Sequence, residues 1–326
     1  FSMPDIFGKD AFLDFDESDP AQHQLLHDGF GVKSAGNFLA TLIAGRSVHA
    51  TLPVIGGFLK FPDEAGVTEA IEKLKNIRPA VLRLIEIFKN APFHFDRKTK
   101  YIALVPKDTF GYINGIIETS SGKKFEEKDF RSHLEQTVIP YSQAVGYTYQ
   151  GEGYMVGSLA RINLAKNKLH PKTLESAAEV LKLFPSTDIF YNNLAQAIEI
   201  LHSIDEATDL LSNNKFVPET PIKVEAKAGA VGIGVIEAPR GTLYHKIVLG
   251  DDGKVSNGEV VVPTGQNQIN IERDVGVLVQ SLIEKPEYAD NSEETKNKIT
   301  LKIEKLIRAY DPCMSCAAHF LKVEWE

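Results

Sequence analysis

The 326-residue chain has only two cysteines, Cys313 and Cys316. That scarcity excludes a disulfide framework, and the C-x-x-C spacing of the pair favours a reducing, cytosolic setting. Two thiols also cannot hold an iron–sulfur cluster, which is normally ligated by four residues. Basic charge is in short supply: 36 Lys and Arg against 44 Asp and Glu give a net charge of -8. A nucleic-acid partner wants a basic face, so none is expected. Long apolar runs are missing too. No stretch approaches the roughly 18 to 20 residues that span a bilayer, so no membrane span is expected. The N-terminus does not resemble a signal peptide, and there is no internal repeat or low-complexity linker. What remains, 43% hydrophobic and 25% charged residues, is the balance of a soluble globular protein. The length suits one large domain or two ordinary ones.

Periodicity then gives an outline. Residues 21 to 44 read as a buried helix, with Leu25, Leu26, Phe30, Phe38, Leu39, Leu42 and Ile43 near the helical period. A second helical region covers about 67 to 90, with Pro79 marking a break or kink. KYIALVP and GYINGIIETSSGKKF within 91 to 128 read as short strands and turns. DFRSHLEQTVI reads as a short helix and TLESAAEVLKLF as a better one. The cleanest helix is 188 to 212, where Phe190, Leu194, Ala197, Leu201, Ile204 and Leu211 form one apolar seam. From 222 to 263 the pattern changes to antiparallel strands, with a turn at Gly250–Gly253. Helices at 267 to 284 and 293 to 310 close the chain, the second stopped by Pro312. The expected fold class is mainly α with a β insert, forming one cooperative unit in which the long helices at both ends of the chain pack together as a bundle.

Chemistry concentrates in the closing stretch RAYDPCMSCAAHFLKVEWE. Two thiolates at C-x-x-C spacing grip one soft metal from a tight turn. A zinc site needs about four ligands, and only His319 is nearby. A redox pair of the thioredoxin kind sits at the start of a helix after a strand, whereas this pair follows a helix and a proline. Both readings fit poorly.

Asp311-Pro312-Cys313-x-x-Cys316-x-x-His319 resembles the C-terminal signature of nickel–iron hydrogenase large subunits. Further segments resemble that family in the same order: GRSVHATLPVIGGFLKFP, YMVGSLARINLA, NNLAQAIEI, EAPRGTLYH and VVPT. The likeness runs over essentially the whole chain. It is greatest to the cytoplasmic multi-subunit group of archaeal sulfhydrogenases and NAD(P)-linked enzymes.

The resemblance implies a single hydrogenase large-subunit domain with a long-helix bundle core. It implies a nickel and an iron joined by thiolates, the iron carrying cyanide and carbon monoxide. Cys313 would be a terminal nickel ligand and Cys316 a bridge, and soft thiolates suit that pair. Arg240, between Pro239 and Gly241, would stand over the open face of the metals, with Asp311 pairing with it or lining the same pocket. By residue type alone, Arg240 reads as a surface guanidinium, though its place between Pro239 and Gly241 at a strand end suits a rigid hold toward a site, and Asp311 reads equally as a turn residue before Pro312. Pro239, Pro263 and Thr264 would surround the cofactor, the Thr264 hydroxyl or a backbone N–H donating to a cyanide. His319 would help bind magnesium or nearby waters, and His49 matches a family position in a loop. Other histidines, such as His23, His27, His94 and His202, have no motif around them.

The implied partners are an iron–sulfur small subunit, NAD(P)-reducing diaphorase subunits, maturation chaperones and an endopeptidase. The endopeptidase would remove residues 320–326 by cutting between His319 and Phe320. The family's Arg-x-Cys-Gly-x-Cys segment and two early glutamates have no match here. The chain, which begins at Phe1, is therefore expected to lack the family's N-terminal segment and to be inactive alone. Two further readings keep other classes open: a non-catalytic relative of the quinone-side subunit of respiratory complex I, against which the cysteines argue, and a C-x-x-C zinc or interaction module.

Overall fold

The structure is a computed structural model that describes residues 3–9, 11–142, 144–290, 292–316, 321 and 323–325. Eight α-helices are present among them: α1 (Met3–Ile6), α2 (Pro20–Ala44), α3 (Glu64–Lys89), α4 (Ser158–Ala165), α5 (Pro171–Ser176), α6 (Tyr191–Asn213), α7 (Pro263–Ile283) and α8 (Glu293–Ala309). The strands are β1 (Pro53–Val54), β2 (Gly57–Phe58), β3 (Lys100–Pro106), β4 (Gly115–Thr119), β5 (Lys124–Phe125), β6 (Leu134–Thr137), β7 (Gly146–Tyr149), β8 (Tyr154–Met155), β9 (Val231–Ala238), β10 (Gly241–Leu249) and β11 (Val255–Val261). The architecture is mainly helical with β inserts, as the sequence leads one to expect.

Helix starts follow local chemistry. Asp19, Asp63 and Ser292 accept hydrogen bonds from backbone N–H groups of the first turns of α2, α3 and α8, satisfying donors that a helix leaves open. Packing runs from α2 to α3, from α3 to α6, from α6 to α8 and from α8 to α7. The bundle therefore links the two ends of the sequence through its middle. Arg308 near the end of α8 also donates to both carboxylate oxygens of Asp5, at 3.1 and 2.7 Å.

The α6 seam is buried at every expected position, Phe190, Leu194, Ala197, Leu201, Ile204 and Leu211. It joins Leu74, Val81 and Ile85 of α3 and Leu159 and Ile162 of α4 in the main core. A second core lies between the sheets, built from Ile102, Leu104, Ile117, Tyr154, Val156, Val235, Tyr244 and Val261. The four-stranded sheet has order β5-β4-β3-β8, and β9, β10 and β11 form an antiparallel meander with β10 central. Val156, Gly157 and α4 pass from the second core into the first, so the β9–β10 hairpin and the helices meet there.

Several expectations need correction. Helix α2 is not buried: Leu25 is inside, but Phe30 is 57% exposed and the remaining apolar positions are only half-covered. It packs on α3 and on the N-terminal residues Met3, Phe12 and Phe15, which leaves the rest of its surface open. Pro79 neither breaks nor ends α3, which runs through it. Proline removes one helical hydrogen bond, and burial of Leu74, Ala80, Val81, Leu84 and Ile85 around it outweighs that loss. DFRSHLEQTVI forms a 3-10 turn at Glu127–His133 followed by β6. TLESAAEVLKLF splits into the short α5 and a 3-10 turn at Val180–Leu183. Residues 222–230 are not strand, and α7 begins at Pro263, earlier than its apolar period suggests.

Candidate metal centre

The EAPRG stretch makes the tip of the β9–β10 hairpin. Ala238 pairs with Gly241, leaving Pro239 and Arg240 as a two-residue turn. Gly241 has φ +132°, and a Cβ there would lie 2.4 Å from Val156 Cγ2 and 2.8 Å from Gly157 N. Only glycine permits that conformation and that approach. The turn is thereby pressed against the Val156–Gly157 crossing.

Arg240 reaches from this tip to the end of α8. Its Nε donates to the Asp311 carbonyl at 2.6 Å and its Nη2 to Asp311 Oδ1 at 3.0 Å. Gln196, on α6, donates to Asp311 Oδ2 at 3.0 Å. Asn192, also on α6, donates to the Ala309 carbonyl at 2.9 Å and accepts from the Leu159 N–H. These bonds hold Asp311 at φ +52°, in the left-handed region that a non-glycine residue occupies at some energetic cost.

The positive φ turns the chain sharply out of α8 into Pro312 and the cysteines. Cys313 N–H donates to Thr264 Oγ1 at 3.2 Å, and Cys316 N–H donates to the Cys313 carbonyl at 3.1 Å, closing a tight turn. Pro263 and Thr264 are buried and open α7 rather than ending a strand. The resemblance makes the Thr264 hydroxyl or a backbone N–H a donor toward the cofactor. That oxygen here accepts from Cys313, and its proton remains available to a further acceptor.

The thiols influence each other. Ser315 Oγ lies 3.4 Å from Cys313 Sγ and 4.0 Å from Cys316 Sγ. Burial pushes the Cys313 thiol up, but contacts with Cys316 and Ser315 and the Arg240 cation outweigh it and hold Cys313 below the usual thiol range. Its hydrogen bond to Cys313, with burial, moves Cys316 the other way. Cys313 is half-buried and Cys316 exposed.

Five of the expected site residues, Arg240, Asp311, Cys313, Cys316 and Thr264, are thus joined by direct contacts, with Pro239 and Pro263 beside them in sequence. His319 and Phe320 lie outside the described residues, as do residues 317, 318, 322 and 326 of the closing stretch. His49 sits exposed in a loop at φ +58°. His202 and His94 have structural partners: His202 accepts from the His170 N–H, and His94 contacts Asp188.

Sequence reasoning missed the layer behind the hairpin tip. Arg161 is fully buried and bonds to Glu199, Glu237 and the carbonyls of Ala238 and Pro239. Its signal was present: an arginine inside the apolar run SLARINLA is buried only when paired.

The donor set fits part of a soft-metal site. Two adjacent thiols on one turn, beside a fixed cation that favours their anionic form, suit nickel or iron. They do not make a whole site, and no cluster of three or more His, Cys, Asp or Glu side chains placed to hold a metal occurs among the described residues.

Residues 118–319 match the family model described as nickel-dependent hydrogenase. The chain belongs to the nickel-dependent hydrogenase family. Sulfhydrogenase 1 subunit alpha of Pyrococcus furiosus is 29% identical over 299 residues, covering 90% of this chain and 67% of that protein. The beta subunit of the NAD-reducing hydrogenase HoxS of Cupriavidus necator is 32% identical over 212 residues, covering 61% of this chain and 42% of that one. Among solved structures, an NAD+-reducing NiFe-hydrogenase in its H2-reduced state superimposes with a TM-score of 0.77 at 25% identity, over 97% of this chain and 74% of that one. A NiFeSe hydrogenase of Desulfovibrio vulgaris Hildenborough, at 18% identity and a TM-score of 0.67, shares the fold. No helix of this hydrogenase homologue is long and apolar enough to cross a membrane, among the described residues.

Proposed function

We propose that this chain is the hydrogen-activating large subunit of a cytoplasmic, multi-subunit nickel–iron hydrogenase, with Cys313 and Cys316 supplying two of its thiolate ligands. The observation that carries the reading is that the hairpin tip brings Arg240 onto Asp311, next to the turn that holds both thiols, in a chain of this family. When bound, the nickel–iron pair supplies the Lewis-acid and redox chemistry for splitting H2.

The protein's own part is electrostatic and positional. Arg240 brings a guanidinium cation with a fixed fork of N–H donors. Two of its N–H groups are committed to Asp311, which keeps the cation fixed beside the thiols. A fixed charge needs no reorganisation when charge develops during reaction. Cys313, held below the usual thiol range, has the more anionic sulfur of the pair and is the better soft donor. The proton acceptor would be a terminal nickel thiolate, either Cys313 or one from the family's other cysteine pair. The Thr264 hydroxyl would donate to a cyanide on iron, and His319 would serve a magnesium site.

Only two thiols are present, so a four-thiolate centre needs two from outside these residues, and the chain on its own would hold no stoichiometric metal. Electrons would leave through an iron–sulfur small subunit, with diaphorase subunits downstream if the acceptor is NAD(P). Maturation chaperones would load the metals, and an endopeptidase would then remove residues 320–326.

The test is nickel and iron analysis with H2-driven dye reduction on the complex assembled in a maturation-competent host. Loss of bound nickel in both Cys313→Ser and Cys316→Ser is expected. Full nickel content and turnover in either variant overturns the proposal. An intact mass that does not fall by residues 320–326 on maturation overturns the processing step.

A further inference from the structure

The least explained feature of the molecule is a buried charge cluster outside the cysteine turn. Arg161 is 2% exposed. Its Nε and Nη2 donate to the two Glu199 oxygens at 2.6 and 2.7 Å, and its Nη1 donates to Glu237 Oε2 at 2.8 Å. Nη1 also reaches the Ala238 carbonyl at 3.0 Å, and Nη2 the Pro239 carbonyl at 3.2 Å and Ser158 Oγ at 3.0 Å.

Both carboxylates are themselves tethered. Glu237 Oε1 accepts from Leu104 N–H at 2.7 Å and from Thr242 Oγ1 at 2.6 Å. Ser158 Oγ donates to Glu199 Oε2 at 2.5 Å. The Tyr112 ring covers the guanidinium, 5.7 Å from its centre.

Stability is a weak reason for such a cluster. Apolar residues of similar volume often replace buried ion pairs without loss. A planar fork with five N–H groups does something an apolar side chain cannot, because it fixes several acceptors at set angles. Two of those acceptors are the carbonyls of Ala238 and Pro239, the two residues immediately before Arg240.

Resting on the reading of Arg240 given above, we infer that Arg161 is a positioning residue for Arg240. It pins the Pro239–Arg240 turn through the Ala238 and Pro239 carbonyls, with Glu199 and Glu237 pinning Arg161 in turn. The place where the Arg240 guanidinium meets Asp311 and the cysteine turn is thereby set from behind. Lysine keeps the charge but has three donors and no fork, so it cannot serve two carboxylates and two carbonyls at once.

A double-mutant cycle in the assembled complex tests this, using Arg161→Lys, Arg240→Lys and the pair. Turnover per bound nickel and local hydrogen exchange are both read. Arg161→Lys should lower turnover by about tenfold or more, yet by less than about threefold in the Arg240→Lys background. Exchange should rise in peptides 236–243 and 309–316 while peptide 64–89 stays protected. Glu199→Gln, which turns an amide toward the guanidinium, should repeat the pattern and serves if Arg161→Lys does not fold. Effects on turnover that multiply, or exchange that rises evenly through the chain, overturn the inference. An Arg240→Lys enzyme with full turnover overturns the role given to Arg240 instead, and the exchange pattern still reports whether Arg161 holds the turn.

Discussion

Arg240 grips Asp311 twice, by the backbone carbonyl at 2.6 Å and by the carboxylate at 3.0 Å. A side chain at a hairpin tip thereby fixes both the charge and the backbone path of a residue 71 positions away. The two bonds have separable consequences, since only one depends on the Asp311 side chain.

Replacing Arg240 with leucine removes both bonds and the cation beside the thiols. Loss of one preorganised charge at a reaction centre lowers turnover on the order of 10²-fold or more. Turnover per bound nickel in the assembled complex measures it. An Arg240→Leu enzyme with full nickel and unchanged turnover would contradict the electrostatic role.

Thr264→Val is a shape-preserving change that leaves the Cys313 N–H without its acceptor. A stranded, partly buried donor costs about 1–2 kcal/mol. Thermal unfolding should show the loss, and Thr264→Ser, which keeps the oxygen, should restore it. Equal melting of the valine and serine variants would show that the bond contributes nothing.

Gly241→Ala combines a backbone conformation reserved for glycine with a Cβ placed 2.4 Å from Val156 Cγ2. The expected destabilisation is about 2 kcal/mol or more, from strain plus overpacking. Pairing it with Val156→Ala relieves the clash but not the φ strain. Partial rescue in denaturant unfolding is the expected result; no destabilisation in the single variant would be inconsistent with the packing described.

Asp205 carries the pH prediction. Burial pushes its carboxyl up, but hydrogen bonds from Arg78 and Thr173 and the charge of Arg78 outweigh it, leaving the carboxyl below its ordinary 3.8. Arg78 Nε to Asp205 Oδ1 is 2.7 Å, with the carboxylate almost wholly enclosed. A depressed carboxyl means that the unfolded chain binds protons more readily. The contribution is therefore present above about pH 3.8 and is lost as pH falls through the lower folded value. Arg78→Leu should be destabilised by about 3 kcal/mol at neutral pH, with the gap to wild type narrowing below pH 3.8. A gap that stays constant down to pH 2 would exclude the pair as its source.

What could be read from the sequence was local. The α6 seam repeats at helical spacing, so its burial needed no knowledge of partners. The β9–β11 meander announced itself through β-branched runs around Gly250–Gly253. The cysteine pair and EAPRG were visible as motifs. The remainder depends on contacts between distant positions. Arg161 meets Glu199 and Glu237 from 38 and 76 residues away, and no local pattern encodes that. Pro79 looked like a break because propensity is local, while its tolerance comes from packing on both sides. Phe30 looked buried because periodicity reports which face is apolar and not whether anything covers it.

The cysteine turn is organised by Gln196, Arg240 and Thr264, at separations of 115, 71 and 49 residues. Closing such loops is entropically unfavourable, and each contact forms only after α6, the hairpin and α7 have found one another. In the unfolded or half-folded chain, Cys313 and Cys316 are two thiols on a flexible string. They become an oriented pair of thiols at the end of folding. Any step that needs the oriented pair therefore depends on the whole molecule having folded.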